Sequence, residues 1–158
     1  MSETVLVVGV GAVAGIGAAV ARKFAGAGYH VVVSGRTREK LETVVLQIQE
    51  TGGSADYIIG DVTSDADQKR LAAIVQDRDE PLAAVIYNAG SNLPIKFEDL
   101  TPAQFEEFWR IGCFGAFLTA HHLLPILSQQ GRGSMLFTGA SASLRGRPNF
   151  AHFAVAKA

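Results

Sequence analysis

Five short runs of apolar, largely β-branched residues punctuate the chain: Thr4–Val8, His30–Ser34, Asp56–Ile59, Ala83–Tyr87 and Ser134–Thr138. Continuous apolar character, without strict alternation, marks strands buried on both faces. Helical periodicity fills the intervals. Ile16, Val20 and Phe24 recur at i, i+4 and are closed by Gly26-Ala27-Gly28, while Leu41, Val44, Val45 and Ile48 share a face ended by Gly52-Gly53. Leu71, Ile74 and Val75 mark a third helix, begun near Thr63 and Ser64 and finished by Pro81. The clearest helix start is Thr101-Pro102-Ala103-Gln104: Thr101 caps, Pro102 takes the first helical position, and Gln104 closes a capping box. Leu100 and Phe105 are placed to staple it, and the helix is predicted to run to about Gln129 with a bend near Pro125. Strands and helices therefore alternate through five strands, and a sixth helix is cut off at Ala158. This order predicts an α/β protein, a doubly wound parallel sheet in three αβα layers, with one domain over residues 1–158. A chain stopping inside a helix is expected to be part of a longer fold.

Composition narrows the partners. With 48% hydrophobic and 18% charged residues and a net charge of −1, the chain fits a soluble globular class, and nothing electrostatic points to nucleic acid or to an anionic membrane. No apolar run approaches the ~18 residues that span a bilayer, and Met1-Ser2-Glu3-Thr4 lacks the basic-then-apolar pattern of a leader. A cytoplasmic location is expected. The one cysteine, Cys113, rules out an internal disulfide and reads as a small buried apolar residue. No metal site is expected.

The chemistry begins at Gly9-Val10-Gly11-Ala12-Val13-Ala14-Gly15-Ile16-Gly17, which follows the first strand and opens the first helix. Glycines there let the backbone turn tightly and approach a pyrophosphate, which the helix N-terminus stabilises. Two registers fit: G-x-G-x-x-A at Gly9, Gly11 and Ala14, or G-x-x-x-G-x-G at Gly11, Gly15 and Gly17. The strand before and the helix after supply the Rossmann-like context that the pattern requires.

The second register, with Ile16 inside it, resembles the cofactor loop of the short-chain dehydrogenases/reductases, with Val10 where that family usually has Thr. Three further segments match in order: Asp61-Val62 is similar to the family's adenine-contacting pair, Asn88-Ala89-Gly90 to its Asn-Ala-Gly motif, and the fifth strand with a helix ending in Lys157 to the segment holding its active-site Ser, Tyr and Lys. The resemblance implies a seven-stranded sheet of which this chain supplies the first five strands, a nicotinamide cofactor, a small-molecule carbonyl or alcohol substrate and a homo-oligomer. Cofactor contacts would come from Gly11, Ala14, Gly15, Ile16, Gly17, Asp61, Val62, Asn88, Ala89, Gly90 and Lys157.

After the second strand an NAD site wants an acid for the ribose 2′-OH, and an NADP site a cation for the 2′-phosphate. Here Gly35 stands at the acid's place and Arg36 follows, so NADP(H) is expected over NAD(H), although Ala14 holds a loop position where some NADP-preferring members carry a second base.

The family's proton donor is a Tyr one helical turn before the Lys; here that position is Phe153, which keeps the ring and loses the hydroxyl. The family Ser falls on Ala140, with Ser141 adjacent, and the family Asn on Gly112. Lys157 and Ser141 remain as candidate catalytic residues, Lys157 also as a ribose anchor. His152 should point away from Phe153, about 100° round the helix. Of His121 and His122, one should be exposed and one packed. Gly112 and Gly115 read as a small face for close packing. Phe105, Phe108, Trp109, Phe114 and Phe117 read as core or subunit interface. Arg145 and Arg147 read either as solvated loop charges or as contacts to an acidic substrate or a phosphate. Two functions follow: an NADP(H)-dependent oxidoreductase working slowly or with an atypical acid, and a non-catalytic NADP(H)-binding sensor or scaffold. An inactive truncated product is the third possibility.

Overall fold

The computed structural model describes residues 3–158; Met1 and Ser2, half of the tetrapeptide read for a leader, lie outside the described residues. Five parallel strands form one sheet: β1 (Thr4–Val8), β2 (His30–Gly35), β3 (Ser54–Ile59), β4 (Leu82–Tyr87) and β5 (Ser134–Phe137), in the order β3-β2-β1-β4-β5. Each strand lies within about two residues of its sequence prediction. β1 is central and wholly buried, with Thr4 opposite His30 and Val8 opposite both Ser34 and Tyr87.

The strand period of two divides the core. Val5, Val7, Val31 and Val33 face α1 (Ile16–Gly26) and α2 (Arg38–Glu50), which contributes Leu41, Val44, Val45 and Ile48 as expected. Leu6, Val8, Val32, Val85 and Tyr87 face the other layer, α3 (Asp65–Gln76) and α5 (Gly115–Gln130). Strand order reverses at β1, between β2 and β4, and such a switch opens a crevice at the carboxyl ends of the strands.

Three helices depart from the sequence prediction. In α1 the buried face is Gly17, Ala18, Ala21 and Ala25, while Ile16 is 66% exposed and Val20 and Phe24 are half-buried. Small side chains let this helix lie close on the sheet, and the larger ones splay to its flanks. α3 is capped by Ser64, which accepts from the Asp67 N–H, but it ends at Gln76, before Pro81, and Ile74 is exposed. The long helix is interrupted at a different place. α4 (Pro102–Trp109) starts with the capping box of Thr101 and Gln104, passes into a π-turn at Arg110–Phe114, and continues as α5 straight through Pro125. Pro125 lies on the exposed side.

The helical stretch Pro102–Gln130 is long and apolar enough to cross a bilayer by length and composition, which inspection of apolar runs alone overlooked. Here it lays Leu118, Leu123, Ile126 and Leu127 against the sheet. Its outer side carries a ladder of rings, Trp109–Phe114–Phe117–His121, with Phe117 58% exposed, so this aromatic group is not core. His121 is exposed, and His122 is half-buried with Nε2 2.8 Å from Asp65. Cys113 is exposed rather than buried, because the π-turn gives the inward positions to Gly112 and Gly115.

Candidate active site

β1 runs into Gly9, whose φ of +88° and whose missing Cβ, which would lie 2.3 Å from the Ala89 nitrogen, leave no room for another residue. The N–H groups of Gly9 and Val10 both donate to the Ser34 carbonyl at 2.9 Å, fastening the loop to β2. Gly15 donates to Ala12 O at 2.8 Å and caps α1 with no side chain of its own. The first helical bond is Ala19 N–H to Gly15 O, and the N–H groups of Ile16, Gly17 and Ala18 find no backbone acceptor. A helix N-terminus in this state is built for an anion. Gly17 is packed against the loop, its Cβ position 3.2 Å from Gly9 O, whereas Gly11 is exposed with open space around it.

Beside the loop lies a groove of about 240 Å³, with Gly11, Arg36, Lys40, Asp61, Val62 and Ala89 among its walls. It shares Arg36, Asp61 and Ile111 with a neighbouring cleft of about 320 Å³ that reaches Glu106 and Arg110 on the π-turn side. Gly35 contributes only backbone, because a Cβ there would sit 2.3 Å from Val10 O. Arg36 is thus the first side chain the strand end can present, and it is exposed. Lys40, in the first turn of α2, lines the same groove and was missed in the sequence, because Arg36 lies before the helix cap and no helical spacing links the two. Asp61 is fixed by its carboxylate accepting from Thr63 N–H and Oγ1–H, each at 2.8 Å, and its own N–H donates to Asp67 at 2.9 Å.

Asn88 faces the fold. Its Nδ2 donates to Gly9 O at 3.4 Å and its Oδ1 accepts from Thr138 Oγ1 at 3.1 Å, joining the ends of β1, β4 and β5. Lys157, at the end of α6 (Ala151–Lys157), reaches back to the same strand ends and donates to Thr138 O at 2.9 Å and Ala89 O at 3.3 Å. Burial lowers the pKa of its ammonium below the ordinary value. Gly90 packs against it, 3.1 Å from Nζ to the Cβ position.

The remaining candidates fall around this point. Ser141 opens a single 3-10 turn after β5, exposed, and lines none of the clefts described here. Phe153 is half-buried and edge-on to Phe150 at 6.3 Å. A Cβ on Gly112 would lie 2.6 Å from both Cβ and O of Ala156, so α6 occupies the space an asparagine would need. Tyr87 donates from its hydroxyl to Ile111 O in the π-turn, and burial raises its pKa, keeping it a donor. His152 turns away from Phe153, as expected: it is 1% exposed, its Nε2 bonds Leu93 O at 2.9 Å, and its ring lies 4.2 Å from Phe108.

Residues 3–158 match the short chain dehydrogenase family profile. The chain belongs to the short-chain dehydrogenase family. A short-chain dehydrogenase from Rhodopseudomonas palustris is 34% identical, with a TM-score of 0.88 over 98% of this chain and 72% of its own. An actinorhodin polyketide ketoreductase variant solved with NADPH gives 26% and 0.91 over 99% and 60%. A 7α-hydroxysteroid dehydrogenase solved with NADH and 7-oxo glycochenodeoxycholic acid gives 29% and 0.89 over 98% and 60%. Family members thus bind NADPH in one case and NADH in another. The chain spans 58%, 44% and 60% of the first curated relatives it matches.

Proposed function

We propose that this chain binds NADP(H) between the Gly9–Gly17 loop and Arg36, and serves hydride transfer between the nicotinamide and a small carbonyl or alcohol. Gly35 carries the reading. Its Cβ position is 2.3 Å from Val10 O, so no carboxylate can stand there to accept from a ribose 2′-OH, and Arg36 with Lys40 offers cations for a 2′-phosphate instead. Beside them, the α1 amides without a backbone acceptor and the open flank of Gly11 would take the pyrophosphate, and Asp61 and Val62 of the groove the adenine.

The bound nicotinamide would supply or accept the hydride. Lys157 spends two of its three N–H donors on Thr138 and Ala89, leaving one for a ribose hydroxyl. Phe153 carries no exchangeable proton, so the side chain a turn before Lys157 contributes nothing to protonating an alkoxide. A positioned acid is worth ~10²–10⁴-fold, so turnover should be slow and should rise in Phe153→Tyr. The chain is proposed to form a homo-oligomer and to be cytoplasmic.

Titration with NADPH and NADH, wild type against Arg36→Ala, tests this. A preference for NADPH that the variant loses supports it; equal, weak binding of both overturns it. Firm NADPH binding with no carbonyl reduction by the wild type favours the sensor or scaffold function.

A further inference from the structure

The arginines of this protein fall into three groups. Arg38, Arg70, Arg78 and Arg132 pair with Glu42, Asp67, Asp56 and Glu3 at 3.6, 3.0, 2.9 and 3.0 Å. Arg22 and Arg110 donate to backbone carbonyls of Val13 and Thr63. Among the described residues Arg36, Arg145 and Arg147 are exposed, and none of them has a carboxylate partner or a side-chain hydrogen bond. Arg36 faces the nucleotide groove. Arg145 and Arg147 stand at the opposite end, just beyond Ser141.

The chain segments next to them carry no acid, and the nearest acids in sequence are Glu98, Asp99, Glu106 and Glu107 at the edges of those segments. No Asp or Glu occurs from Phe108 to Ala158, a stretch that includes the π-turn, β5, the Ser141 turn and α6; nor does one occur in residues 88–96, the loop that faces them. Both arginines issue from a fixed frame. The Arg145 N–H donates to Ser141 O at 3.1 Å, and the Arg147 guanidinium lies 6.0 Å over the Phe150 ring, itself edge-on to Phe153. Asn149 holds a φ of +68° with its carbonyl accepting from the Ile95 N–H at 2.9 Å. Together with the His152–Leu93 bond, this ties the loop after β4 to the start of α6.

We infer that the small molecule reduced or oxidised at this site carries an anionic group, a carboxylate or a phosphate monoester, held by Arg145 and Arg147. Guanidinium groups match both oxyanions bidentately, and two cations two residues apart with no carboxylate partner attract anions. The Phe150 ring under Arg147 and the Phe153 ring edge-on to it would take the apolar body. This inference rests on the hydride-transfer reading above for the position of the reacting carbon.

The test is equilibrium binding to the NADP⁺-loaded whole protein by calorimetry, with one aryl ketone in three forms: carboxylate, phosphate monoester and methyl ester. At least one charged form should bind about tenfold to a hundredfold tighter than the ester, less so at high salt. The double variant Arg145→Gln, Arg147→Gln should erase that difference while leaving ester binding and NADPH affinity unchanged. The carboxylate and phosphate arms say which anion is meant. Equal binding of all three forms, or a preference that survives the double variant, overturns the inference. The calorimetry is repeated without nucleotide: an NADPH titration that fails alongside an Arg145/Arg147 preference intact in the nucleotide-free protein overturns the cofactor reading and leaves the anion anchor standing.

Discussion

Gly9 and Gly11 differ in what a methyl group would meet. At Gly9 it would enter the Ala89 backbone from a φ of +88°, whereas at Gly11 it would meet nothing within 4 Å. Gly9→Ala should therefore cost about 2–4 kcal/mol from strain and overpacking, read as a lower urea midpoint. Gly11→Ala should keep wild-type stability and weaken NADPH binding alone; a stability loss equal to that of Gly9→Ala would refute a ligand role for its open flank. Lys157 gives a pH signature. Its pKa is lower folded than unfolded, so between the two values the unfolded chain binds more protons and stability rises with pH. Urea midpoints followed from neutrality to about pH 10 should show that rise in the wild type and its absence in Lys157→Met. Arg36 was legible in the sequence because a strand end and a missing acid define its place. Lys40 was not, since only the turn into α2 brings it to the same groove.

The π-turn is the element that shapes the site, and no residue type announces it. It hands Gly112 to α6 and Gly115 to Tyr87, whose hydroxyl then meets Ile111 O. The sequence marked both glycines as a small face and expected a bend near Pro125, which lies inside α5 on its exposed side, but it carried no sign of the π-turn. It also ranked the α1 positions by hydrophobicity, although the buried face there is chosen by smallness. The strands were readable because double burial leaves no polar alternation to misplace. Gly112→Asn should not restore a relay of the kind the family resemblance implies. It should destabilise by about 1–3 kcal/mol, because Ala156 Cβ and O lie 2.6 Å from the new Cβ. Hydrogen exchange across residues 151–157 would report the loosening. Unchanged stability with a gain in turnover would show that α6 can yield.

At the scale of the whole molecule the two sheet edges are treated differently. Along β3, Gln49 Nε2 donates to Ala55 O at 3.1 Å and Arg70 Nη2 to Ile59 O at 2.7 Å, so side chains occupy carbonyls that another strand would seek. Along β5, Leu136 and Phe137 are 49% and 50% exposed, and Phe117 and Leu124 of α5 add further apolar surface. An uncovered edge beside exposed rings favours association. The 158-residue chain should therefore gain mass with concentration in light scattering, and it should do so through β5. Leu136→Lys places a charge on that edge and should lower the apparent mass without lowering NADPH affinity, since β4 separates β5 from β1 and the Gly9–Gly17 loop that follows it. Arg70→Ala frees a carbonyl of β3 and should increase association if edges of both kinds compete. A chain that stays monomeric at all concentrations would show that the apolar side chains of β5 shield its backbone without help. Association that Leu136→Lys leaves unchanged would move the interface to the ring ladder of α4 and α5.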